Sequence, residues 1–183
     1  MKKMIIVVLA ILMLTFAGVS AQETDVAEQI LNFDTVGEMV AWTTTAEEIY
    51  NILSEYENLE INVEDNEEYG KLIEAQSESE EEAFSYVFYF DNDTELLWEV
   101  ECVAVLYDGE KIVPAFQALY ESYGFKDAEP YQNDALDAYV ADYDESYIVA
   151  GDGTIAALAG KAETEESYGS IALVLINREY FES

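Results

Sequence analysis

Asp91, Asp93 and Glu95 set three carboxylates at alternate positions of the stretch Asp91-Asn92-Asp93-Thr94-Glu95. Clustered side-chain oxygens of this kind suit a hard cation, calcium above all. The twelve-residue helix–loop–helix calcium pattern is not met. Counted from Asp91, its glycine position is Leu96 and its closing acid is Cys102. Counted from Asp65, Gly70 fits, but Tyr69 precedes it and Gln76 stands where the last acid belongs. The segment reads first as a tight turn, because Asn and Asp tolerate the backbone of a reversal. A loosely held calcium ion at Asp91, Asp93 and Glu95 is the alternative, and no other cofactor is expected.

The rest of the chemistry is bounded by what the chain lacks. There is no histidine and one cysteine, Cys102. Ser-His and Cys-His nucleophile pairs are therefore excluded, as are His-ligated zinc and an intrachain disulfide. Cys102 shares a strand face with Trp98 and Val100, so it reads as a buried apolar residue. No phosphate-cradling loop is present: Gly151 and Gly153 lack a third glycine, and Ala156 stands in its place. Two-carboxylate hydrolysis remains open. With 40 acidic residues, however, many pairs meet its spacing of about 5 to 9.5 Å by chance. No acid set is distinguished by its sequence surroundings, and no motif identifies a family.

The elements that must carry these groups begin after a leader. Lys2 and Lys3, the uncharged run Met4–Phe16 and the small residues Ala17–Ala21 form a secretory signal peptide, with cleavage expected between Ala21 and Gln22. Residues 22–183 then make a single acidic domain bearing 5 basic and 40 acidic residues, a formal charge of −35. Hydrophobic residues at 51% and 14 tyrosines argue for a folded chain. Such a field repels nucleic acid and anionic headgroups, and it attracts divalent cations or a basic protein.

Residues 22–44 are poorly defined by pattern. Thr45-Ala46-Glu47-Glu48 has the capping-box form, and Ile49, Ile52, Leu53 and Tyr56 follow at helical spacing, predicting a helix that ends near Glu57. Leu59–Glu64 alternates as a half-buried strand, and Lys71–Ala75 is the next. Phe84–Phe90 and Leu96–Leu106 form a long hairpin around the Asp91 turn. One face carries Phe84, Tyr86, Phe88, Phe90, Trp98, Val100 and Cys102, while Glu99 and Glu101 point the other way, toward water. The acidic run Glu78–Glu82 reads as a solvated approach to that hairpin, guarding against edge pairing.

A second helix spans about Val113–Tyr123, with Pro114 in its first turn and Gly124 as its stop. Lys126–Asn133 is a loop, and Ala135–Tyr143 fits helix or strand. Tyr147–Ala150 and Thr154–Ala162 pair around Gly151-Asp152-Gly153. Ile171–Ile176, apolar throughout, suits a central strand, and Glu179–Ser183 is a tail. The order predicts an α+β fold, an antiparallel sheet of hairpins with two amphipathic helices on one face. Residues 45–107 and 108–183 are candidate helix-plus-hairpin repeats, with the turns at Asn92 and Asp152 as counterparts.

The functional expectation is a secreted or periplasmic, non-enzymatic binding domain with a highly acidic surface. It is not inserted in a membrane after leader removal, and it takes a basic protein or divalent cation. The alternative is a carboxylate-pair hydrolase, for example a carbohydrate-active one.

Overall fold

The computed structural model describes residues 41–57, 59–66, 70–80, 82–151, 153–163 and 168–183. The leader, its cleavage point, residues 22–40 and Asp152 of the expected hairpin turn lie outside the described residues. No helix among the described residues is long and apolar enough to cross a membrane.

Thr45 opens helix α1 (Ala46–Leu53) through the capping box that its sequence spells. The Thr45 side chain accepts from the Glu48 N–H at 3.4 Å, and Glu48 Oε2 accepts the Thr45 N–H at 2.8 Å. The helix stops a turn earlier than its apolar stripe. There the Ser54 hydroxyl donates to the Tyr50 carbonyl at 2.6 Å, and the Glu55 and Tyr56 N–H groups bond back only three residues. The tighter winding ends the helix but still packs Tyr56 against the core. Ahead of α1, the Leu97 N–H donates to the Thr44 carbonyl and the Trp42 indole donates to Thr154 Oγ1 at 3.1 Å.

Eight strands follow: β1 (Glu60–Asn66), β2 (Gly70–Glu78), β3 (Glu82–Phe90), β4 (Leu97–Leu106), β5 (Glu129–Pro130), β6 (Glu145–Ala150), β7 (Thr154–Glu163) and β8 (Tyr168–Asn177). They form one antiparallel sheet in the order β1-β2-β3-β4-β8-β7-β6-β5. β8, buried on both faces from Ile171 to Ile176, is an inner strand as its unbroken apolar run requires. The segment Lys126–Asn133 is not loop alone, since its Glu129-Pro130 pairs with Ala150 and Val149.

β2 outruns its expected end, because Gln76, Ser77 and Glu78 pair with Ser85, Phe84 and Ala83. The acidic run is therefore the β2–β3 reversal rather than an approach to a strand. The Ser79 N–H donates to the Glu82 carbonyl at 2.8 Å, and Ser79 Oγ accepts the Glu82 N–H at 3.2 Å. Farther along, the β3–β4 register shifts after Tyr89, with Tyr89 opposite Glu99 but Phe90 opposite Leu97. The extra residue is Trp98. This bulge keeps Leu97 and Val100 on one face and turns Trp98 to the other, away from the face it was expected to share with Cys102.

Alternation along β7 and β8 separates two cores. On the first face lie Ala156, Leu158, Ile171, Leu173 and Leu175, continuous with Ile73, Tyr86, Phe88, Phe90, Val100 and Cys102. Fully burying each large aromatic is worth about 1.5 to 3 kcal/mol. Helix α1 adds Ile49 and Leu53 to this face. A short 3-10 turn (Gly109–Lys111) leads into helix α2 (Ile112–Ser122), which adds Ile112, Phe116 and Leu119. On the second face lie Ile155, Ala157, Ala159, Val174 and Ile176.

The second face carries two further helices. Helix α3 (Asp134–Tyr139) buries Leu136 and Val140 there. It makes the ambiguous segment helix as far as Tyr139, with a turn beyond, because Asn133 Oδ1 accepts the Ala135 and Leu136 N–H groups. The tail is helix α4 (Arg178–Glu182), capped by Asn177 in the same way. Its Phe181 packs against the second core.

Candidate functional site

The second face of β4 carries the pair that the sequence reading sent to water. Glu99 and Glu101 are two residues apart on one strand, so their side chains leave the same side of the sheet. Glu99 is only 6% exposed and Glu101 is half-buried. Their neighbours on β8 are Ile176 and Val174, which offer no polar group. On the other flank Tyr89 of β3 donates its phenol to Glu101. Tyr139 of α3 and Tyr143 just beyond it stand near enough for the Glu101 charge to act on both phenols. Trp98 stacks on Tyr180 of α4 with centroids 5.1 Å apart and meets Tyr89 at 5.8 Å.

This setting shifts both carboxyls, each of which acts directly on the other. Burial, then the neighbouring Glu101 charge, holds Glu99 well above the ordinary glutamate range. Burial pushes Glu101 up to about 7, against hydrogen bonds from Glu99 and Tyr89 that favour its ionised form. Burial likewise raises Tyr89, Tyr139 and Tyr143, so the canopy of phenols stays neutral. The result is a buried carboxyl pair beneath aromatic rings, of which Glu101 exchanges its proton near neutrality.

The buried Nε1–H of Trp98 has no hydrogen-bond partner among the described residues, a further polar cost on this face. Across the sheet Cys102 is a free thiol, 1% exposed, and burial raises it far from the thiolate. It is packed as a small apolar residue.

Asp91, Asp93 and Glu95 all lie in the β3–β4 turn. Asp91 is half-buried, while Asp93 and Glu95 are exposed. Asp91 Oδ1 accepts from the Asp93 N–H at 3.1 Å, the Thr94 N–H at 2.8 Å and the Thr94 hydroxyl at 2.9 Å. Its Oδ2 accepts the Tyr180 hydroxyl at 2.8 Å. Burial acts to raise Asp91, but these donors together bring it below its ordinary value. Glu95 sits at φ 57, where the reversal demands left-handed backbone. Among the described residues no three His, Cys, Asp or Glu side chains are gathered as a metal shell.

The dyad escaped sequence reasoning because alternation places Glu99 and Glu101 on one face without saying what covers it. The signal was present in Trp98-Glu99-Val100-Glu101-Cys102: two acids on one face of a strand whose other face is wholly apolar. The pairing of β4 with β8 and the return of α3 over that face are long-range events. Compared with known proteins, the chain matches no family model, no curated protein and no solved structure.

Proposed function

We propose that the mature chain is an exported, non-enzymatic binding domain whose carboxylate surface receives a cationic partner, in the first place a basic protein. The observation that carries this reading is a charge imbalance that no internal pairing removes. Residues 22–183 contain 5 basic side chains against 40 acidic ones. Most carboxylates must be answered from outside, by counter-ions or by a partner. Exposed acids on several elements contribute, including Glu47 and Glu48 on α1, Glu60, Glu64 and Asp65 on β1, and Asp134 and Asp137 on α3. Their field speeds encounter with cations and rejects polyanions. Calcium at Asp91, Asp93 and Glu95 is a weaker form of the same reading, since all the hydrogen bonds to Asp91 would compete with the ion.

Calorimetric titration of octalysine into the mature domain, beside polyglutamate of equal charge, tests the proposal. Saturable binding with defined stoichiometry, tighter than polyglutamate gives at the same ionic strength, is expected. Binding no tighter than that of polyglutamate overturns it.

The dyad favours a second reading, a carboxylate-pair hydrolase. The two carboxyls act directly on one another, as in paired carboxyls that divide acid and base roles around a water. Turnover of a peptide substrate that disappears in Glu101→Gln would replace the binding reading with this one.

The strand order supports a two-unit organisation, residues 45–107 and 108–183, each opening with a first-face helix and walking from an outer edge to the β4–β8 seam. In that arrangement the β3–β4 turn answers to the β7–β8 connection, and the β6–β7 turn to Ser79–Glu82. The expected equivalence of the turns at Asn92 and Asp152 shifts accordingly.

A further inference from the structure

We propose that the Glu99–Glu101 pair, set on one face of β4 under α3, is a proton-dependent latch, holding α3 and the tyrosines that follow it on the sheet while the pair carries a proton and releasing them once it is lost. The argument rests on what faces the pair and on what can move. From β3 comes Tyr89, with Glu74 of β2 beyond it; both the glutamates of β4 and Glu74 act on the Tyr89 phenol. From β8 come Ile176 and Val174. From α3 comes Tyr139, followed by Tyr143 with Asp142 beside it. From α4 comes Tyr180, reaching this face through Trp98 and bonded to Asp91. Each of these groups is neutral or acidic; the cation of α4, Arg178, is paired with Glu182 at 3.0 Å and lies over Tyr131. A second negative charge at the pair would thus meet burial and repulsion with no opposite charge among the groups named to answer it.

The structure offers one inexpensive relief. β4 is paired along both edges, with β3 and β8, and does not turn its side chains outward without breaking two ladders. Helix α3 is six residues long, and its buried anchors are Leu136 and Val140. Short elements with few apolar anchors open at the low end of the stability range. Lifting α3 with Tyr139 and Tyr143 lets water reach both carboxylates. The same motion bares the aromatic second face around Trp98, Ile155 and Val174, making that surface available at higher pH. This device is independent of the cationic-partner reading and stands or falls separately.

Hydrogen exchange across the mature domain from pH about 5 to about 9, corrected for intrinsic rates, tests the latch. In the wild type, the opening constant of residues 134–143 rises by up to about tenfold per pH unit while the closed pair retains a proton that the open pair has lost. β4 and β8 keep their protection. In Glu99→Gln/Glu101→Gln the α3 segment keeps its protection throughout. Wild-type exchange in 134–143 that does not respond to pH, or a double variant that responds equally, overturns the proposal. Should the double variant not fold, infrared spectroscopy of the wild type decides. A protonated carboxyl band must persist at pH about 6, where ordinary glutamates are ionised, and must vanish as α3 opens; its absence at that pH overturns the latch.

Discussion

The Tyr180 hydroxyl donates a 2.8 Å hydrogen bond to Asp91 Oδ2, tying the C-terminal helix to the β3–β4 turn across 89 positions of sequence. The same carboxylate organises the turn from within through Asp93 and Thr94. Tyr180→Phe removes one bond and is expected to cost about 1 kcal/mol. Asp91→Ala removes the cap and the tie together and is expected to cost about 2 kcal/mol or more. Urea unfolding measures both. Because the hydrogen bonds hold Asp91 below its ordinary value, its contribution is present above the unfolded value near pH about 3.9 and fades as pH falls through the folded one.

The dyad has the opposite sign. Its folded values are raised, so the folded state keeps a proton that the unfolded chain releases near pH about 4.3. Stability is therefore expected to fall as pH rises from that point through the folded value of about 7 for Glu101. The limiting slope is about 1.4 kcal/mol per pH unit for each proton retained. Denaturant midpoints across that window measure it, and Glu99→Gln/Glu101→Gln is expected to flatten the curve.

Gly169 lies directly beneath Ile112. A Cβ there would meet the Ile112 side chain and stand 2.6 Å from the backbone oxygen of Lys161. Gly169→Ala is expected to cost about 1 to 3 kcal/mol by forcing α2 off the sheet. Ile112→Ala in the same chain should recover part of that loss, although not all, because the Lys161 contact is backbone. A double-mutant cycle from urea midpoints gives the coupling.

Excess negative charge pushes the compact state apart, so the melting temperature is expected to rise with ionic strength. Screening that restores about 1 kcal/mol raises it by about 3 °C for a domain of this size. Thermal denaturation at low and high sodium chloride measures the shift, and a melting temperature that does not move with salt counts against self-repulsion as the cause.

Much of the fold was legible because its signals are local. Thr45 and Glu48 announce α1 by themselves, the alternating aromatics of Phe84–Phe90 announce β3, and the run Ile171–Ile176 announces an inner strand. Misreadings arose where distant segments decide the outcome. Ala135–Tyr143 carries apolar residues suited to either period, and the Asn133 cap with the second core below it selects helix. Glu78 read as solvated margin, yet its β3 partner Ala83 draws it into the ladder. The bulge at Trp98 is invisible to strict alternation, which placed that indole with Cys102. The candidate site was the least legible part: among 40 acids, only three-dimensional pairing singles out Glu99 and Glu101.

The β4–β8 seam joins Glu99 to Ile176 and Leu106 to Gly169, whereas β1 to β4 pair with neighbours in sequence. A chain emerging amino end first completes its early meander while β8 is still unmade, leaving β4 as a temporary border. Charged side chains on such a border discourage a second molecule from adding there. Ionised during that interval, Glu99 and Glu101 protect the nascent sheet. Their burial is complete only when the last strand arrives, so the groups that burden the finished domain shield it while unfinished.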